Sequence, residues 1–281
     1  MPHRRVLLGS ACSALASLAV ACGSSASLAS QLQPSGTVTL TALAISVNTP
    51  SVGGAVQATS TATFSNGGTT PIATGFGTDT PSVATSTSSG TITGVAIGDV
   101  TIFVDYLGMR ASKRVHVLPA YGGVLVGTYK VTSCSQSEGF ATADFCQPFN
   151  ALPTLSIAFS NTQSADLTTL TGQFALGQSV GLGSGTVASN GTLTYSGALV
   201  GGTERMELRN FAGTSPAPGR MVGSFEQVWT NSATTGQAVV TCANMDVTRT
   251  SSALASFSGP LAARSGSIGS FAALLFREVS W

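Results

Sequence analysis

The residue whose surroundings define a reaction most clearly is Cys22. It stands in Leu18-Ala19-Val20-Ala21-Cys22-Gly23, where small residues lead directly into a thiol. That is the order of a lipobox, which signal peptidase II cuts before the cysteine. The thiol can then be alkylated by diacylglycerol and the freed amine acylated. Several chains on one residue anchor a protein stably, whereas a single chain binds a membrane only marginally. Upstream, His3, Arg4 and Arg5 form a basic start and 6–20 an apolar run in which Cys12 is a filler. That run is short for a membrane span, which needs about 20 residues. Residues 1–21 therefore read as a removable signal peptide, and the Ser-rich stretch 22–38 as a tether. Ala19 stands where a lipobox usually has leucine, so an ordinary Ala-x-Ala signal that leaves Cys22 as a plain thiol is the alternative. Gly23 replaces the aspartate that would favour inner-membrane retention, which points to an anchor in the outer membrane or at the cell surface.

Three cysteines follow, Cys134, Cys146 and Cys242. An exported chain meets an oxidising compartment, so one disulfide and one thiol are expected. Cys134 and Cys146 flank a polar segment, 135–145, that reads as a loop, and they are the favoured pair; pairing of either with Cys242 is the alternative. A metal site is the weaker use, because no CxxC and no histidine lies nearby. Other catalytic patterns are missing from the sequence. His116 lies between Val115 and Val117 on the outer face of an expected strand and reads as exposed. Glu204, Glu207, Glu226 and Asp246 are scattered; Glu207 and Glu226 fall on neighbouring expected strands, with nothing to tune them as a glycosidase pair. Gly181, Gly183 and Gly185 lie within strand sequence and form no phosphate loop. The expectation is a protein with no catalytic residues, no cofactor and no metal.

Charged residues make up only 8% of the chain, with 12 basic and 11 acidic side chains. Loss of 1–21 removes Arg4 and Arg5, which leaves ten basic against eleven acidic residues. No electrostatic footprint for nucleic acid remains. Low charge alone could suggest disorder, but β-branched residues alternate with small polar ones throughout, as strands require. Between 39 and 118, Val56, Ala58, Ala62 and Phe64 fall on one face, and Asn66-Gly67 makes a turn. Val100, Ile102 and Val104 form a second inward row, with Thr101 and Phe103 opposite, and Val115 and Val117 a third. Short strands with closely spaced turns suggest an antiparallel sandwich.

The segment 79–102, DTPSVATSTSSGTITGVAIGDVTI, resembles the most recognisable part of the bacterial Ig-like group 2 family. There, a P-S-V-A strand leads through G-x-I-T-G into an A-x-G-x-x-x-I strand. The upstream Ile45-Ser46-Val47-Asn48-Thr49-Pro50, Val52-Gly53-Gly54 and the strand ending at Phe64 match the family's opening, and Tyr106-Leu107-Gly108 its last hairpin. Phe76 stands where the family usually has a core tryptophan. The resemblance implies an Ig-like β-sandwich over 39–118, a display or adhesion role, and no catalytic residues.

A second pattern starts after Pro119 and Ala120. Alternation at 127–133, 155–159, 167–176, 178–187, 192–199, 204–211, 221–229 and 238–247 predicts about eight strands in 121–250, an antiparallel barrel or a sandwich of similar size. Met206 and Leu208 alternate with Arg205, Glu207 and Arg209, which puts a solvated charge row outside. Gly127-Thr128-Tyr129 and the closing Val247-Thr248-Arg249 are loosely similar to lipocalin-like β-barrels, without their tryptophan. Such a barrel either encloses a small molecule or is filled by side chains. In the tail, 251–281, Ala272-Ala273-Leu274-Leu275-Phe276 reads as a strand or a short helix. Arg277 would face lipid in an outer-membrane strand ending at Trp281, which argues against one. The expected fold class is all-β, an Ig-like β-sandwich followed by a barrel-like domain. The expected function is a lipid-anchored envelope protein for display, adhesion or spacing. Its partners would be the membrane, through the lipid, and a protein or carbohydrate at the cell surface, with no nucleic acid. The alternative is a tethered protein that holds a small ligand in the barrel.

Overall fold

Alternating short side chains become nearly continuous strand in the computed structural model, which describes residues 37–250. The expected signal at 1–21, the lipid-bearing Cys22, nearly all of the tether and the tail 251–281 lie outside the described residues.

The first nine strands are β1 (Leu40–Ser46), β2 (Ala55–Gln57), β3 (Thr59–Phe64), β4 (Thr69–Ile72), β5 (Phe76–Thr78), β6 (Ala84–Ser86), β7 (Thr91–Gly94), β8 (Gly98–Tyr106) and β9 (Met109–Val117). They form three small antiparallel sheets, β1-β3-β4, β2-β7-β6 and β5-β8-β9. All three turn their apolar faces to one core that includes Ala62, Phe76, Ile92, Ile102, Val104 and Val117. Val100, Ile102 and Val104 point inward as the alternation requires, because successive side chains leave a strand on opposite faces. The run from Val56 to Phe64 is one strand in sequence but two in space. At Ala58 the backbone leaves both ladders, and its N–H donates to the Gly90 carbonyl at 2.8 Å. Val56 thus pairs with β7 and Ala62 with β1 and β4, so a single alternating segment feeds two sheets. Ser60 points into the core from β3, and its hydroxyl donates to the Ala44 carbonyl at 2.7 Å.

Eight longer strands follow: β10 (Gly123–Gln136), β11 (Thr154–Gln163), β12 (Thr169–Leu176), β13 (Ser179–Val187), β14 (Leu193–Gly201), β15 (Glu204–Ala217), β16 (Arg220–Asn231) and β17 (Ala238–Arg249). Each pairs antiparallel with the next, and β17 pairs with β10, so the sheet closes into a barrel. Closure leaves no unpaired edge to recruit other chains. Asn210 and Asn244 adopt positive φ, 50° and 51°, beside register shifts in β15 and β17. Bulges of this kind bend a strand and tighten its twist, as a small barrel needs.

The inside is filled by rings. Phe159, Phe174, Tyr195, Phe211, Phe225 and Tyr129 are buried, with ring-to-ring contacts from 5.0 Å (Tyr129–Phe225) to 6.4 Å (Phe174–Tyr195). The room for them comes from β13, whose glycines at 181, 183 and 185 occupy inward positions. A Cβ on Gly183 would lie 2.5 Å from the Tyr195 ring, and one on Gly181 would lie 2.7 Å from the Phe174 ring. The rings therefore rest on bare backbone.

One barrel mouth is closed by the β10–β11 connection. A one-turn helix, α1 (Glu138–Thr142), and a 3-10 turn (Gln147–Phe149) bury Phe140, Phe145 and Phe149. Phe145 meets Trp229 of the barrel at 5.4 Å. The Cys134–Cys146 disulfide ties the connection to β10, with Cα atoms 5.7 Å apart, and Gln136 Oε1 accepts from the Cys146 N–H at 2.7 Å. The segment expected as a plain polar loop is thus an aromatic plug. Phe140 and Phe145 stand apart among small and polar residues, so no periodic pattern marks them.

Two stability measurements check this packing. Gly183→Val should lower the unfolding free energy by about 1 to 3 kcal/mol, the usual cost of overpacking, whereas Ser184→Val on the outer face should change it by less than about 0.5 kcal/mol; urea titration reads both. Cys134→Ser with Cys146→Ser should cost about 3 kcal/mol, because the loop closed by the bond becomes free in the unfolded chain. A reducing agent should lower the melting temperature of the unaltered protein and leave that of the double variant unchanged.

Candidate functional site

The barrel interior is the natural place for a ligand, and most of its polar groups answer one another; the buried Ser179 hydroxyl on β13 is without a partner. Gln227 on β16 donates from Nε2 to the Tyr129 hydroxyl at 3.0 Å and to the Cys242 sulfur at 3.4 Å, and its Oε1 accepts from Trp229 Nε1 at 3.2 Å. The Tyr195 hydroxyl donates to Asn161 Oδ1 at 3.1 Å. Burial raises the Tyr129 and Tyr195 hydroxyls far above the ordinary phenol range. It also pushes the Cys242 thiol up to about 12, so this cysteine stays a neutral, unreactive filler. Cys242 faces the interior from β17, and Cys134 pairs with Cys146 instead. The Gln227 network, in which Tyr129, Cys242 and Trp229 each find a partner, fixes the rings around it.

The carboxylates sort differently. Glu207, on the outer face of β15, accepts from Arg205 Nε at 2.8 Å and from Arg209 Nη2 at 2.6 Å. Hydrogen bonds from Arg205 and then Arg209 hold its carboxyl below the usual glutamate range. Glu226 on β16 stands opposite Arg209 in the ladder and accepts from Asn210 Nδ2 at 2.7 Å. Glu207 stands opposite Val228, so the two carboxylates do not face one another across a substrate gap. Asp246 is held by Arg220 at 2.6 Å, and hydrogen bonds from Arg220 lower its pKa. Among the described residues, no three His, Cys, Asp or Glu side chains gather as a metal-binding group.

Beside the Arg205–Glu207–Arg209 row lies an open hollow of about 600 Å³ on the outer wall, floored by Ser184, Ser196 and Ala198. At its rim Leu182 is 70% exposed. This wall offers a bare apolar side chain, small hydroxyls and two guanidinium groups on one surface.

At the opposite mouth from the plug, the connection between sandwich and barrel is gripped from several sides. Gln163, at the end of β11, accepts from the Tyr121 and Gly122 N–H groups at 2.8 and 3.0 Å and donates to the Pro119 carbonyl at 3.2 Å. Arg249, at the end of β17, donates to the Ala120 and Gly122 carbonyls, each at 2.9 Å. Leu118 and Tyr121 belong to the barrel core. The Tyr121 hydroxyl donates to the Gly191 carbonyl at 2.6 Å, and burial raises its pKa to about 12. Pro218 of the β15–β16 turn sits against Gly53 of the sandwich.

His116 belongs to this junction. The expectation of a merely exposed histidine was incomplete. Its side chain is 32% exposed, with Nδ1 2.9 Å from Asp99 Oδ1 and Nε2 2.8 Å from the Ser189 carbonyl of the β13–β14 turn. Alternation does place His116 on the outer face of β9, but at this end of the strand that face meets the β13–β14 turn. Only the arrangement of the two domains could reveal this contact.

No family model matches the chain, and no curated protein matches it. Among solved structures, domains 4–9 of the surface layer protein SbsC are similar at 11% identity, over 72% of this chain and 47% of that one, with a TM-score of 0.25. This chain thus spans about half the length of that structure.

Proposed function

We propose that this protein is a non-catalytic, lipid-anchored component of the bacterial envelope, in which an Ig-like sandwich and a filled barrel form a stiff unit for display or spacing. The observation that carries the stiff unit is the grip on the connection at 119–122 by Gln163 and Arg249. A flexible linker leaves such backbone groups to water, whereas here side chains from two barrel strands hold them. Stiffness is what a spacer requires, since a display module loses reach when its joints fold back. The anchor is Cys22 in its lipobox, and the likeness of 79–102 to bacterial Ig-like group 2 modules agrees with a surface role.

A small ligand inside the barrel is the weaker alternative, because the rings of Phe159, Phe174, Tyr195 and Phe211 occupy that space. A protein or carbohydrate partner would instead meet the outer wall, where Leu182, Arg205 and Arg209 are exposed.

Labelled palmitate should be incorporated by cells expressing the intact chain, and Cys22→Ser should abolish both the label and sedimentation with membranes; a label that persists in the variant removes the anchor. Protease added to intact cells should cleave the protein if it is displayed outside. Stiffness is tested separately, with spin labels at the exposed positions Leu107 and Leu152. The unaltered protein should give one narrow distance distribution, and Gln163→Ala with Arg249→Ala should broaden it. Each lost hydrogen bond should cost about 1 kcal/mol of stability.

A further inference from the structure

His116 stands between two groups that can only accept. On one side is the carboxylate of Asp99, directly across the β8–β9 ladder, at 2.9 Å from Nδ1. On the other is the Ser189 carbonyl oxygen in the β13–β14 turn, at 2.8 Å from Nε2. A neutral imidazole carries one N–H and one lone pair, whereas the imidazolium carries two N–H groups. Only the charged ring can donate to both partners. Either neutral tautomer sets a nitrogen lone pair against an oxygen lone pair, at Asp99 or at Ser189.

We propose that His116 is a pH-sensitive latch between the sandwich and the barrel: its charged ring clips the β13–β14 turn to Asp99, and loss of one proton to solvent opens one side of the clip. This goes beyond a static spacer and does not depend on the anchor at Cys22. The charged groups facing the ring are few. β8 supplies Asp99, and β9 supplies Arg114, which shares Asp99 through Nη2 at 2.7 Å. The turn itself, 188–192, contains no titratable side chain. Asp99 is held below the usual aspartate range, first by its hydrogen bond with His116 and then by Arg114, so it stays ionised wherever the histidine titrates.

The direction follows from these partners. The hydrogen bond to Asp99 is the main cause that raises His116 above its ordinary value of 6.5; partial burial opposes it, and Ser189 adds to it. A group whose pKa is raised on folding stabilises the folded state fully below the unfolded value and loses that contribution as pH rises through the folded value. The latch is therefore closed on the acid side and opens toward alkaline pH.

The chain holds two histidines, so His3→Gln leaves His116 as the sole imidazole for proton NMR titration. The ring should titrate with a midpoint above 6.5, the amides of 188–192 should move with the same midpoint, and Asp99→Asn should lower it. The melting temperature of this protein should exceed that of the same chain carrying His116→Gln at pH 5, and the difference should shrink toward zero by pH 9. A midpoint at or below 6.5, turn amides that ignore the ring, or a difference that does not change with pH would each overturn the latch.

Discussion

A closed barrel of eight strands encloses a space about as wide as its own side chains can fill, and what fills it decides what the barrel can do. Here the filling rests on one pairing of small with large. Glycines at 181, 183 and 185 line the inner side of β13, and the rings of Phe174 and Tyr195, on the two flanking strands, lie over them. Either element alone would be unfavourable. A strand with three inward glycines buries little apolar surface and gains nothing from side-chain packing, and rings of that size would otherwise press on the opposite wall. Together they let Tyr195 reach Phe159 and Phe211, which connect through Phe225 to Tyr129 and the Gln227 network.

The same packing explains why the buried polar residues stabilise rather than weaken the core. Tyr129, Trp229 and Cys242 each meet Gln227, whose amide has both a donor and an acceptor end to offer. Left unpaired in such surroundings, each group would cost about 1 to 3 kcal/mol. Because they satisfy one another within the interior, none has to be satisfied by a bound ligand.

How far the sequence was legible differs from element to element. Met206 and Leu208 alternate so clearly with Arg205, Glu207 and Arg209 that their inward and outward places in β15 follow from period alone, and both are buried as expected. The strand runs on past Phe211 to Ala217, however, because the bulge at Asn210 resets the alternation and the inward place beyond it goes to Gly213, which carries no apolar signal. The Cys134–Cys146 pair was legible from its short spacing. The plug it ties down was not, since three separated phenylalanines become a cluster only after the chain turns. The grip of Gln163 and Arg249 was also hidden: both residues sit at strand ends where a polar side chain is ordinary, and their partners are backbone atoms that sequence does not mark.

Strand parity then limits where recognition can occur. In an up-and-down barrel the odd connections share one mouth and the even connections the other. The β10–β11 connection, which is the plug, lies at the first mouth. The β13–β14 and β15–β16 turns should then fall on the same side as the plug or opposite it according to strand direction. β10 enters beside the sandwich and leaves at the plug, so each odd-numbered strand that follows runs back toward the sandwich. β13 and β15 therefore deliver Ser189 and Pro218 to that mouth, as does the end of β17 with Arg249. An even number of strands thus brings entry and exit together, and this is why Ser189, Pro218 and Arg249 gather at the mouth beside the sandwich while the other mouth holds a disulfide-tied plug. With both mouths occupied and the interior filled, what the barrel presents to solvent is its outer wall, with Leu182 and the Arg205–Arg209 row beside one hollow.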